Sequence, residues 1–183
     1  MPSSDRPAAG PRAVLPVILS SPSPRRRELL ARFWGADRFA VLAPDYDENR
    51  APPAICADAR ALADYLPAGK IRALQDQYPL PDRYCALAAD TLVVLDRQIL
   101  GKPADGADAA RQLRCLSGRT HQVLTGICLA IHDRGQTCLL QAVEETAVRF
   151  AVLDEAMINW YVATGEPLDK AGAYGIQGHG AAL

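Results

Sequence analysis

Residues 87–103, LAADTLVVLDRQILGKP, open as a continuous apolar run rich in β-branched side chains. That is the pattern of a strand buried on both faces of a sheet, so the chain is expected to build itself around this segment. Asp90 interrupts the run. An ionised carboxylate in such a strand costs on the order of several kcal/mol unless a cation, a metal or hydrogen-bond donors compensate it. Asp90 either marks a strand end and accepts backbone N–H bonds, or it answers to a cation. The turn Gly101-Lys102-Pro103 returns a lysine towards it. Together the two have the chemistry of a site for a metal and an oxyanion.

The bulk of the chain narrows what such a site can serve. At 183 residues it forms one large domain or two small lobes, and 49% hydrophobic with 22% charged residues describes an ordinary globular protein. A net charge of −1 supplies no field to collect nucleic acid or an anionic membrane, so phosphate chemistry must rely on local cations. Cys56, Cys85, Cys115, Cys128 and Cys138 are odd in number, scattered and without a C-x-x-C pair, which reads as reduced thiols of a cytoplasmic protein. His121, His132 and His179 lack metal-ligand spacing, no apolar run approaches a membrane span, and a basic-then-apolar signal is absent. Neither a nucleic-acid nor a membrane partner is expected.

Outward from the central strand, residues 1–12 carry Pro, Ser, Gly and charge without periodicity and are expected to be a disordered leader. Ala13 to Leu19 suits a buried strand, with Pro16 placing it near an edge or on a bulge. Ser23 as N-cap and Pro24 at the first helical position then start a helix whose apolar face is Leu29, Leu30, Phe33 and Trp34. Arg25, Arg26 and Arg27 fall in its first turn, where the helix dipole is already positive. Free N–H groups, serine hydroxyls and arginines make an anion site suited to a polyphosphate; a solvated basic patch, or a salt bridge to Glu28, is the plainer alternative.

Phe39 to Ala43 reads as a second strand, followed by Asp45, Asp47 and Glu48, oxygen ligands for a divalent cation or simply a polar loop. A helical region from Ala54 to Gln77 is divided by Pro67 and Gly69 into two helices, with Lys70 in the first turn of the second and again suited to an anion. Asp105 caps a helix running to Ser117, with Asp108 in its first turn, Leu113 and Leu116 inward and Gly118 closing it. His121 to Ile131 and Thr137 to Val152 form a hairpin around His132-Asp133-Arg134-Gly135. Asp154 caps a last helix that buries Ile158, Tyr161 and Val162 and stops at Gly165. The remainder, GEPLDKAGAYGIQGHGAAL, is neither a Walker A loop nor a G-x-G-x-x-G turn. Lys170 among close glycines would let backbone and ammonium approach a ligand together, a flexible terminus being the alternative.

Four stretches, LSSPSPRRRELL (19–30), ADTLVVLDRQILGKP (89–103), LSGRTHQVLTG (116–126) and YVATGEPLDKAGAYGIQG (161–178), closely resemble the Maf family of nucleoside triphosphate pyrophosphatases, also called septum-formation inhibitors. The resemblance runs in order from about Val14 to Leu183. It implies an α/β fold of the Maf/ITPase-like kind, with a long bent mixed sheet flanked by helices and two lobes around a central cleft. It implies hydrolysis of a nucleoside triphosphate to the monophosphate and pyrophosphate with Mg²⁺ or Mn²⁺, and a homodimer. By motif, Asp90 matches the catalytic aspartate, described as a proton acceptor, while Ser21, Arg26, Glu48, Lys70, Lys102 and Gln177 match other polar active-site positions. Arg25, Thr91 and Gln177 stand where the family sets its base preference, and all three are similar to the dTTP/UTP subgroup. A carboxamide can both donate to and accept from the O4/N3–H edge of uracil or thymine, which agrees with Gln177. The family continues some twenty residues past the match to Leu183, so a Maf-like domain at 13–183 without the last strand and helix is expected.

These readings join in one expected mechanism: in-line attack of water on the triphosphate, with Arg26, the helix start behind Ser23, Lys70 and Lys102 holding charge. Asp90 either takes the proton from water or binds the metal, and Glu48 is a second metal ligand. The alternative from another class is a nucleotide-binding regulator of cell division without turnover.

Overall fold

The computed structural model describes residues 15–183; the leader expected at 1–12 lies outside them, as do the first two residues of the strand expected at 13–19. Six strands form one mixed sheet: β1 (Val17–Leu19), β2 (Phe39–Val41), β3 (Arg83–Leu95), β4 (Gln98–Leu100), β5 (Thr120–Asp133) and β6 (Gln136–Arg149). Their order is β2-β1-β3-β5-β6, with β4 beside β3. β1 runs parallel to both of its neighbours, and every other pairing is antiparallel. The apolar run that opened the sequence reading is the middle of β3. Pro16 does not mark an edge, because β1 is flanked on both sides. It stands just before the strand, where its missing N–H costs no ladder bond and its carbonyl still accepts from the Cys85 N–H at 2.8 Å.

Among the described residues there are five α-helices, α1 (Pro24–Trp34), α2 (Pro53–Cys56), α3 (Ala59–Gln77), α4 (Gly106–Leu116) and α5 (Glu155–Ala163), besides four short 3-10 turns. Alternation along β3 sends Ala86, Ala88, Leu92 and Val94 to one face, where Leu62, Leu66, Ile71 and Leu74 of α3 cover them. At the far end of β3 the opposite face takes Val93 and Leu95 against Leu113 and Leu116 of α4 and Ile158 and Tyr161 of α5. The caps follow the sequence: the side chains of Ser23, Asp105 and Asp154 accept from the N–H groups of Arg26, Asp108 and Met157.

Two expectations fail here. The expected apolar face of α1 is not buried: no residue of this helix is, and Phe33 is 85% exposed. Its neighbours β1 and β2 are only three residues long each, which leaves little sheet to cover. Nor do Pro67 and Gly69 divide the helical region. The break falls at Ala57 and Asp58, and α3 runs 19 residues through both.

Pro67 cannot donate to the carbonyl of Ala63, four residues earlier. That oxygen lies instead against Gly126 of β5, where a Cβ would come within 1.7 Å of it. Helix and strand therefore approach closely at the point where the helix lacks an N–H and the strand lacks a side chain. Gly69 makes a similar notch. The hydroxyl of Tyr46 occupies the place of its Cβ, 2.1 Å from the ideal position.

Candidate active site

The register of β3 creates an opening. β1 pairs with Cys85–Leu87 and β4 with Val93–Leu95 along the same edge, so Ala88–Leu92 pair only with β5. Ser20 and Ser21 leave the end of β1 at one side of the gap, and Gly101 and Lys102 leave β4 at the other. Asp90, opposite Gly126, stands in the middle and is 7% exposed.

A cation meets Asp90 from the α3 face. Lys70 donates its ammonium to Asp90 Oδ1, and the same nitrogen lies 2.8 Å from Glu48 Oε1. Lys70 is therefore not at a helix start, as the sequence reading had it, but in the body of α3, aimed by packing rather than by a free helix end. The Tyr46 hydroxyl in the notch at Gly69 anchors the loop that delivers Glu48 two residues later. Asp45, Asp47 and Glu48 do not converge as a cluster. The Asp45 backbone is bound by the Gln77 side chain, Asp47 pairs with Arg50 at 3.5 Å, and only Glu48 turns to Lys70.

Burial is the largest influence on Asp90 and raises its pKa above the ordinary carboxylate value. Lys70 pulls it down, Glu48 pushes it up and Arg26 pulls it down, but burial prevails. A carboxylate held in that direction is a stronger base than one in water.

The second wall comes from α1. Ser21 Oγ accepts the Ser23 N–H at 3.2 Å and Arg26 Nη1 at 3.4 Å, while Arg26 Nη2 donates to Thr91 Oγ1 at 3.3 Å. Thr91 in turn meets Thr125 at 3.3 Å. Alternation puts Thr91 on the face of β3 opposite Asp90, so Arg26 and Lys70 approach the opening from the two sides of the sheet. Burial lowers the pKa of Arg26, and the carboxylates of Asp90 and Glu48 oppose that shift. The arrangement offers cations, hydroxyls and a helix N-terminus around one basic carboxylate, a donor set whose chemistry suits a polyphosphate.

The profile of the Maf-like proteins matches residues 16–183. The chain belongs to the Maf family. The dTTP/UTP pyrophosphatase of Symbiobacterium thermophilum is 51% identical to it over 168 residues, 91% of this chain and 80% of that protein. The dTTP/UTP pyrophosphatases of Moorella thermoacetica and of an Anaeromyxobacter species are 48% and 47% identical, over 91% of this chain and 81% and 76% of theirs. The solved structure of a HAM1 protein from Coxiella burnetii aligns over 72% of each chain at 15% identity and a TM-score of 0.42, too distant to bear on the fold.

In this Maf-family chain the residues singled out by sequence fall into different surroundings. Asp90, Lys70 and Glu48 meet directly; Arg26 joins Ser21 to Thr91 and lies near enough to Asp90 to shift it. Lys102 is exposed and, among the described residues, holds no ion pair or hydrogen bond, although the β3–β4 register carries it back alongside the opening. Arg25 and Gln177 join neither group: Arg25 faces Asp169 at 3.9 Å, and Gln177 is exposed. Lys170 does not reach for a ligand. Its ammonium is held by the Glu166 carbonyl at 2.5 Å and by Asp169 Oδ1 at 2.7 Å. The parts of Tyr46 and Asp169 went unnoticed in the sequence and Gly69 was read only as a helix break, because each matters through a partner remote in the chain.

The donor set fits a hard divalent cation. Asp90 and Glu48 share one cation already, and carboxylate oxygens are the ligands Mg²⁺ and Mn²⁺ prefer. Among the described residues no group of three or more His, Cys, Asp or Glu side chains gathers, so two carboxylates would need phosphate oxygens to complete the shell. That is the usual manner of Mg²⁺ in phosphate chemistry.

Proposed function

We propose that this chain hydrolyses a nucleoside triphosphate of the dTTP/UTP class to its monophosphate and pyrophosphate. The observation that carries the reading is the buried Asp90 carboxylate, made basic by its surroundings, at the gap that Lys70 and Arg26 approach from the two sides of the sheet. The names of the relatives supply the substrate class.

In this reading Arg26, Ser21 and the N-terminus of α1 bind the phosphate tail, and Lys102 reaches it from the β4 side. Asp90 accepts the proton of the attacking water. Lys70 keeps Asp90 and Glu48 in place and offsets charge as it develops on the phosphate oxygens. Asp90 and Glu48 are the residues that would hold a divalent cation, which when bound neutralises phosphate oxygens and favours in-line attack. Arg25, Thr91 and Gln177 face the base. A homodimer and a cytoplasmic setting belong to the same reading, and sedimentation of the pure protein checks the former.

Phosphate detection in an assay coupled to an inorganic pyrophosphatase, run across common and modified triphosphates, tests it. Wild type should turn over dTTP and UTP in preference to purine nucleotides. Asp90→Asn should lower turnover by about three orders of magnitude or more while nucleotide binding stays measurable. Unchanged turnover in Asp90→Asn removes the assignment, and binding without turnover in wild type leaves only a nucleotide-responsive regulator.

A further inference from the structure

The segment that bears Gln177 is held by one carboxylate. Glu166 Oε2 accepts the backbone N–H of His179 at 3.0 Å and meets His179 Nδ1 at 3.1 Å; Oε1 accepts the Gly180 N–H at 3.4 Å and the Tyr161 hydroxyl at 3.1 Å. Gly178 lies between Gln177 and His179 with φ +72°, and a Cβ there would lie 2.8 Å from Oε2. Two N–H groups that follow Gln177 within three residues thus converge on a single anion supplied by the chain itself, in the manner of an anion-binding nest. The glycine lets the backbone come that close.

On the other side of Gln177 the Tyr161 hydroxyl accepts the Gly175 N–H at 3.4 Å while donating to Glu166. Gln177 is bracketed between those two anchors. Its own side chain is exposed and makes no capping bond, so its aim is set by the backbone. Burial alone would push the Glu166 carboxyl up, but the bonds from His179, Tyr161 and Gly180 outweigh it and hold the pKa below the usual value. At 17% side-chain exposure the group is an anion largely shielded from water.

We propose that Glu166 is a positioning residue for base discrimination, acting by fixing the backbone that presents Gln177. This rests on the pyrophosphatase reading, in which Gln177 meets the base. Glu166 does not touch substrate. Its loss should loosen the recognition of the pyrimidine edge while leaving the chemistry at Asp90 intact.

The test measures kcat and KM for dTTP, UTP, CTP and GTP with wild type and Glu166→Gln, which keeps the size but turns an amide NH₂ against one of the two backbone N–H groups. Expected is a rise in KM for dTTP and UTP of about tenfold with kcat within about twofold, so that preference over CTP and GTP falls by about tenfold. Added to Gln177→Ala, Glu166→Gln should lower that preference no further. An unchanged preference, or an equal loss for all four nucleotides, overturns the proposal. Should Glu166→Gln fail to fold by thermal melt, Tyr161→Phe carries the test, with a loss of preference of about threefold expected and an unchanged preference overturning it. If wild type binds dTTP in a calorimetric titration yet releases no pyrophosphate, the pyrophosphatase reading alone fails. The ratio of dissociation constants for dTTP and GTP then replaces the kinetic ratio, with the same outcomes. A wild type that binds no nucleotide overturns both.

Discussion

Asp90 is kept in the interior at a cost, and the direction of its titration says which way the cost runs. Burial raises the pKa more than Lys70 and Arg26 lower it. The folded protein therefore keeps a proton on Asp90 to higher pH than the unfolded chain does, and stability falls as pH rises through that window. Asp90→Asn removes the charge without changing the shape, and Lys70 keeps Glu48 as a partner. The variant should melt at a higher temperature than wild type in mildly alkaline buffer, with the gap closing on acidification as Asp90 takes up its proton. Thermal unfolding across a pH series checks this, and a variant that melts lower at every pH contradicts it. On the rate side the sign is reversed: with Asp90 in its proposed role as base, protonation removes it, so activity should fall on the acid side of the profile. That Asp90 needs a cation beside it was legible in the sequence, because a lone acid in an apolar strand calls for compensation. That Lys70 is this cation was not, because the break assumed at Pro67 and Gly69 put it at the wrong point of a helix.

At the scale of elements the contact of α3 with β5 decides whether the site assembles. Ala86, Ala88, Cys128 and Ala130 are small and fully buried, which lets the helix lie low enough for Lys70 to reach Asp90. The Ala63 carbonyl against Gly126 is one close point of that approach. Gly126→Ala would drive a methyl into backbone, with no flexible side chain able to yield. We expect a loss of about 3 kcal/mol in urea unfolding and a matching fall in turnover; a loss under about 1 kcal/mol would mean that the helix can lift freely. The caps at Ser23, Asp105 and Asp154 and the turn at Arg134-Gly135 were readable because each signal sits within four residues of its effect. The continuity of α3 was not. A proline and a glycine inside it read as punctuation until Gly126 and Tyr46, far off in the chain, supply their partners.

Across the whole molecule β3 is common property: α3 covers one face along most of its length, β1 and β2 lie beside its start, and α4 and α5 pack on the opposite face of its far end, where β4 pairs. A nucleotide that binds α1, α3 and the segment around Gln177 would tie both halves together. Asp90→Asn with dTTP and Mg²⁺ at about a hundred times Kd should gain about 2.7 kcal/mol of stability, read as a shift in the melt that GTP produces only weakly. No shift with either would exclude a site spanning the two halves. Most strands and helices were legible from periodicity and caps and the mixed sheet from the family resemblance, whereas the exposed side of α1 was not, since a sequence does not reveal how much sheet lies beneath a helix. The gap along β3 has one more result. Cys85 and Leu87 turn their peptide groups towards β1, and by alternation Ala89 and Thr91 turn theirs the same way, past the ends of both short neighbours. Part of the cleft floor is thus made of amides that no codon change short of one to proline can delete, a constant surface beneath a rim of side chains that selection is free to rewrite.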